Sequence, residues 1–188
     1  MALAFAVGST CFFVGPFPGY ANLVGERATA LTFFIGSIFF TIGGALQSIE
    51  AWHQRHDRRT GRAAWYSAIV QSAGTLFFNV STFQAVDTAY SNPEYNRLVW
   101  RPDAFGSVCF LISGVIAYRA FRHEGWQPAV NLLGCVFFGI SAVAGYVVPS
   151  KGSVLDLAAA NWNTSLGAAC FLACALGSLA ERRHASPA

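Results

Sequence analysis

Charged residues are missing from four long stretches of the chain. Between Arg27 and Glu50 lie 22 uncharged residues, and Arg62 to Asp87 encloses 24. Glu124 to Lys151 encloses 26, and Asp156 to Glu181 encloses 24. An apolar run of about 18 residues or more reads as a membrane-crossing helix. Two further apolar runs, at the start of the chain and after Pro102, complete a set of six. The pattern predicts helices over 1–15, 28–51, 63–86, 102–121, 126–149 and 157–180. The first is short, because Gly15-Pro16-Phe17-Pro18-Gly19 cannot continue a regular helix; proline lacks the N–H donor and clashes with the preceding turn. Fourteen helical residues reach only about 21 Å of a roughly 30 Å core. Either the proline-rich turn sits inside the protein at membrane depth, or this helix tilts little and the bilayer thins. Pro102 suits the first turn of the fourth helix. No basic stretch precedes the first segment, whose first positive charge is Arg27, so it is expected to be retained rather than cleaved.

Composition narrows the class. Hydrophobic residues make up 54% and charged residues 11% of the 188, against about 25% charged in a soluble domain. This excludes a soluble enzyme, a disordered chain and a nucleic-acid binder. The net charge of +3 resides in the loops and implies no polyanionic partner. Lys and Arg set the orientation. Arg55, Arg58, Arg59, Arg62, Arg119, Arg122, Arg182 and Arg183 fall on one side, against Arg27, Arg97, Arg101 and Lys151 on the other. The richer side is expected to be cytoplasmic, with both termini there. Trp52, Trp65, Trp100 and Trp126 lie near predicted helix ends, where interfacial Trp belongs. The bilayer is the expected partner, with anionic headgroups contacting Arg55, Arg58, Arg59 and Arg62; a homo-oligomer or a membrane partner would also suit so apolar a chain.

One motif recurs in every predicted helix. Phe follows Gly by four residues six times, whereas chance would give this once or twice from 18 Gly and 17 Phe in the chain. The pairs are Gly8/Phe12, Gly36/Phe40, Gly74/Phe78, Gly106/Phe110, Gly134/Phe138 and Gly167/Phe171. A small residue follows each Gly directly, and another stands seven positions after it. Positions 0, 4 and 7 share one helix face, and small residues let membrane helices approach closely. The motif therefore reads as packing, with a Gly notch receiving a neighbour's Phe. Successive Gly spacings are 28, 38, 32, 28 and 33, and a shift of 98 residues aligns Gly8-Ser9 with Gly106-Ser107 and Gly36 with Gly134. The expected fold is an all-α membrane domain of six helices in two inverted three-helix repeats, 1–96 and 99–188. An odd number of crossings per half forces opposite orientations, an arrangement common among transporters.

The stretch Gly36-Ser37-Ile38-Phe39-Phe40-Thr41-Ile42-Gly43 resembles the YrhK-like family of small bacterial membrane proteins. Phe77-Phe78-Asn79-Val80-Ser81-Thr82-Phe83 and Trp100-Arg101-Pro102-Asp103 are similar to segments of a larger group of bacterial membrane proteins. The resemblance implies a multi-pass protein of the bacterial cytoplasmic (inner) membrane. The family has no established reaction, so it implies no catalytic residues.

Polar side chains inside the spans are the candidate chemistry, since they cost free energy in lipid. Gln71, Thr75, Asn79 and Thr82 form a stripe down the third helix. If the halves meet about a pseudo-two-fold axis, the third and sixth helices come together. Gln71, Thr75, Asn79, Asn131, Asn161 and Asn163 would then make one uncharged binding site between the repeats. Interhelical hydrogen bonding, worth about 0.6 kcal/mol per pair, is the competing reading of the same residues. Glu50, Asp87 and Asp103 lie near span ends and read as interfacial or capping carboxylates; Asp103 suits the dipole of a helix N-terminus. The four His residues sit in loops or the tail. The five Cys residues read as small apolar packing groups. No catalytic motif, metal-ligand set or cofactor motif appears, so enzymatic activity has no support and no cofactor is expected. The function expected is a small transporter or channel for a neutral or weakly polar solute. The alternative is a non-transporting structural, accessory or lipid-binding membrane protein.

Overall fold

The computed structural model describes residues 1–56, 60–86 and 90–185. Arg58, Arg59 and Asp87 lie outside the described residues. The described chain is all-helical apart from one small hairpin. It comprises α1 (Ala2–Val14), a short α2 (Tyr20–Val24), α3 (Glu26–Gln54) and α4 (Gly61–Gln84). Then come α5 (Asn92–Tyr95), a π-helical turn (Asn96–Trp100) and α6 (Arg101–Phe121), which run on as one helix, followed by α7 (Gln127–Ala144) and α8 (Leu157–Ala185). Between α7 and α8, β1 (Val147–Val148) pairs antiparallel with β2 (Ser153–Val154).

The long helices form a closed ring in chain order. α1 packs on α3, α3 on α4, α4 on α6, α6 on α7 and α7 on α8, and α8 returns to α1. Neighbours are antiparallel: Ser37 meets Thr82 at one end of the α3–α4 seam, and Ser48 meets Ser72 towards the other. Large apolar side chains cover the outside of the ring, while small polar ones share its interior with an apolar core. Ile35, Ile38, Ile42, Leu46 and Ile49 form a stripe on α3 that is 39–56% exposed. Phe105, Val108 and Ile112 on α6, and Leu133, Val136, Ile140 and Val143 on α7, make similar outer faces. Ser9, Ser37, Ser67, Gln71, Thr75, Ser107 and Ser113 are buried. Contiguous apolar surface on this scale marks an interaction surface. Among the described residues, four helices are long and apolar enough to cross a membrane: α3, the joined α5–α6, α7 and α8 through Glu181. α1 is apolar but short. α4 is long but less apolar on average, because its inner face carries Ser67, Gln71, Thr75, Ser81 and Thr82. Its outer face, with Ile69, Leu76, Phe77, Val80 and Phe83, is as apolar as the others.

The glycines pair the helices into hairpins. A Cβ added at Gly8 would lie 2.9 Å from the Gly36 carbonyl oxygen and 3.0 Å from the Phe40 ring. One added at Gly36 would meet Phe12 at 2.9 Å. The same exchange links Gly74 with Phe110 and Gly106 with Phe78, then Gly134 with Phe171 and Gly167 with Phe138. Each notch thus receives the Phe of its hairpin partner, in α1–α3, α4–α6 and α7–α8.

This order departs from the expected repeat. Matching α1, α3, α4 to α6, α7, α8 would reverse helix direction yet keep the sense of travel around the ring. Rotation about an axis in the membrane plane reverses both. In a ring that runs in chain order, halves 1–96 and 99–188 therefore cannot be rigid inverted copies. Rotation about the ring axis carries one hairpin onto the next and keeps both senses. The chain bears this out locally: Gly74, Phe77-Phe78 and Ser81 recur 60 residues later as Gly134, Phe137-Phe138 and Ser141.

Two boundaries also differ from expectation. The fifth helix stops at Ala144 rather than 149, where Gly145 and the β1–β2 hairpin turn the chain, with Gly152 at φ +67°. The fourth begins near Asn92 rather than 102. Ser91 and Glu94 form a capping box around Pro93, and the π-helical turn precedes Pro102, which has no N–H to give a regular α-turn. Asn96 clasps the hairpin through Nδ2 to the Val147 carbonyl at 2.7 Å, and accepts from the Val147 N–H at 3.1 Å.

Candidate functional site

The six phenylalanines meet at the centre of the ring. Phe12, Phe40, Phe78, Phe110, Phe138 and Phe171 form one cluster in which none is more than 5% exposed. Hairpin partners lie closest, with centroids 5.4 Å apart for Phe12–Phe40, 5.0 Å for Phe78–Phe110 and 5.5 Å for Phe138–Phe171. Contacts between hairpins run from 5.7 Å (Phe110–Phe171) to 6.5 Å (Phe40–Phe110). These distances are those of edge-to-face and offset pairs. The residues after the glycines pack just outside them; Ser9, Ser37, Thr75 and Ala168 are fully buried. The result is a septum across the ring.

A cavity opens on each side of this septum. The first, about 500 Å³, reaches Phe40 and Phe171 and lies at the end that holds Met1, Gln54, Phe121 and Glu181. Its polar wall includes Gln47, Ser67, Gln71, Gln127 and Asn131, with Glu50, Glu124 and Glu181 exposed towards the mouth. The second, about 380 Å³, reaches Phe12 and Phe138 from the opposite end. Tyr95, Trp100, Asp103, Glu26, Ser81, Thr82, Ser141 and Thr164 contribute to its wall. Among the described residues, no Lys, Arg or His lines either cavity.

The sequence-expected site residues are divided. Gln71 and Asn131 share the first cavity. Ser113 donates to Gln71 Oε1 at 3.4 Å, and Ser67 and Ser113 bond to each other at 3.0 Å. Thr75 donates to the Ser72 carbonyl of its own helix at 2.7 Å. Asn79 donates from Nδ2 to Thr41 Oγ1 at 2.8 Å, across the α3–α4 seam, while its Oδ1 is buried without a partner. Asn163 donates to the Ala159 carbonyl within α8 at 2.8 Å. Neither Asn161 nor Asn163 lines either cavity. The six therefore do not form one site. The reason is topological: α4 and α8 stand on opposite sides of a ring that closes in chain order, so the third and sixth helices do not meet.

Asp103 is a second correction. It does not begin a helix, because the helix runs upstream of it to Asn92, so it does not serve an N-terminal dipole. It lies in the wall of the second cavity instead. A signal for this was present. Tyr95, Val99, Asp103 and Gly106 recur at helical spacing on the face that carries Phe110. Glu26, Thr29 and Phe33 likewise continue the face of Gly36 and Phe40. Comparison with protein families, curated proteins and solved structures finds no match to this chain.

Proposed function

We propose that this chain crosses a bacterial cytoplasmic membrane six times, through α1, α3, α4, α5–α6, α7 and α8. Both termini are cytoplasmic in this reading, which rests on the Arg-rich loops. It acts there as a small transporter or channel, built from three Gly/Phe hairpins around a closed aromatic gate. The resemblance of Gly36–Gly43 to the YrhK-like family belongs to the same reading. So does contact of Arg55 and Arg62 with anionic headgroups.

One observation carries the transport reading: two cavities, each with polar side chains set in a largely apolar wall, end on opposite faces of the six-phenylalanine septum. A protein needing only a core has no use for cavities aligned along one axis. The solute is neutral or weakly polar, since amides of Gln71 and Asn131 lie near the septum and neither wall offers a cation to hold an anion. The test is osmotic flux of glycerol and urea in reconstituted vesicles. Wild type should exceed protein-free vesicles, and Gln71→Leu with Asn131→Leu should lower the excess. The alternative, a non-transporting accessory or lipid-binding protein, is favoured by the near-complete burial of the septum rings. It prevails if wild-type and protein-free vesicles behave alike.

A further inference from the structure

We propose that the second cavity is a binding site for a small organic cation, a quaternary or alkyl ammonium ion. The inference goes beyond the transport reading, because occupancy of this cavity does not require passage through the septum. Three features of the wall point the same way.

The first is charge. Asp103 lies in the wall with no hydrogen-bond or ion-pair partner among the described residues, and Glu26 stands at the cavity's edge. The basic side chains of this end, Arg27, Arg97, Arg101 and Lys151, are all exposed, and none lines the cavity. A carboxylate withdrawn from water without a partner is costly, and a bound cation removes that cost.

The second is hydrogen-bond polarity. Ser81 donates to the Val99 carbonyl at 2.9 Å, and Thr82 donates to the Phe78 carbonyl at 2.7 Å. Ser141 and Thr164 lie 2.6 Å apart, and both point their protons at each other or at the Ala160 carbonyl. The hydroxyl protons are committed, so these groups turn oxygen lone pairs to the cavity. These four hydroxyls can therefore accept from a ligand but not donate to it.

The third is aromatic. Tyr95, Trp100, Phe12, Phe33 and Phe138 all contribute to the lining. Aromatic faces attract ammonium groups, and cages of this kind recognise quaternary ammonium ligands. Trp100 is held in place by its indole N–H, which donates to the Ala142 carbonyl at 2.7 Å, and by an edge contact with Tyr146 at 4.9 Å. A metal ion would want several oxygen ligands at close range, whereas an alkyl ammonium uses one carboxylate and the rings. A volume near 380 Å³ accommodates such a ion with its alkyl groups.

The probes are choline and its uncharged carbon isostere, 3,3-dimethyl-1-butanol. Binding to the intact purified protein in detergent is followed by calorimetry and by Trp fluorescence. Choline should bind saturably, and the isostere at least about ten-fold more weakly, because it loses both ionic and cation–π attraction. Asp103→Asn should weaken choline by a similar factor and leave the isostere unchanged. Trp100→Phe, which keeps a ring, should weaken choline less than Asp103→Asn. Because the isostere comparison uses wild type alone, the test stands even if a variant fails to fold. Equal binding of the two probes by wild type, or no saturable choline binding, would each overturn the proposal. Failure here with solute flux intact would leave the transport reading standing, and the reverse result would remove transport alone.

Discussion

At the residue scale, the chain is held by six exchanges of one kind, a Phe ring laid into a Gly notch on its hairpin partner. The contacts are too close for any larger residue. At Gly36 an added Cβ would sit 2.7 Å from the Cys11 Cβ, and at Gly167 it would sit 2.6 Å from the Phe138 ring. Gly139 differs, because its nearest neighbour is the tip of the flexible Leu111 side chain at 3.0 Å. Gly36→Ala should therefore destabilise the fold by about 1–3 kcal/mol, the usual cost of overpacking, while Gly139→Ala costs less. Thermal unfolding in detergent checks the difference. The notches were legible in the sequence because Gly and Phe recur at a fixed spacing. Which Gly would receive which Phe was not, since spacing within a helix says nothing about the neighbour. The place of Asn79 was not legible for a related reason. Asn79 has the same sequence signature as a cavity residue, yet its Nδ2 is spent on Thr41. Asn79→Leu should cost only about 0.6 kcal/mol, the mean for a membrane interhelical hydrogen bond, and should leave solute flux unchanged. A large loss of flux in a folded Asn79→Leu variant would return this residue to the site.

At the scale of elements, polarity and length decide what was legible. Four helices announce themselves by composition, while α4 does not, because its inward face is polar and its outward face apolar. Its uninterrupted run from 63 to 86 was the better guide. The joined α5–α6 helix shows the opposite failure. Glu94, Arg97 and Arg101 make residues 90–101 look like a loop, but the Ser91–Glu94 capping box starts a helix there. Removing it by Ser91→Ala should cost about 1 kcal/mol, as N-caps do. Amide hydrogen exchange in residues 92–95 should rise, with α7 and α8 unaffected. This element matters to the candidate site, because Tyr95, Trp100 and Asp103 reach the second cavity only if the helix extends upstream of Pro102.

At the scale of the whole molecule, the ring order sets everything that residues and elements leave open. Six alternating helices were readable from charge-free runs. Their closure in chain order was not, since it depends on which flanks meet, and the inverted repeat drawn from the 98-residue shift does not survive it. Closure brings the motif face of every helix to the axis. Six rings then block the centre, and the same faces, continued towards each end, line the two cavities.

The claim that this septum divides two separately open cavities is tested most directly by thiol accessibility from each side of the membrane. In a variant lacking the five native cysteines, single cysteines at Gln71 and at Thr164 are exposed to a membrane-impermeant thiol reagent in sealed vesicles of known orientation. Gln71→Cys should react only from the face bearing Met1, and Thr164→Cys only from the opposite face. Phe110→Ala should let reagent cross to the far cysteine. Reaction of both cysteines from one face with the septum intact would contradict the account.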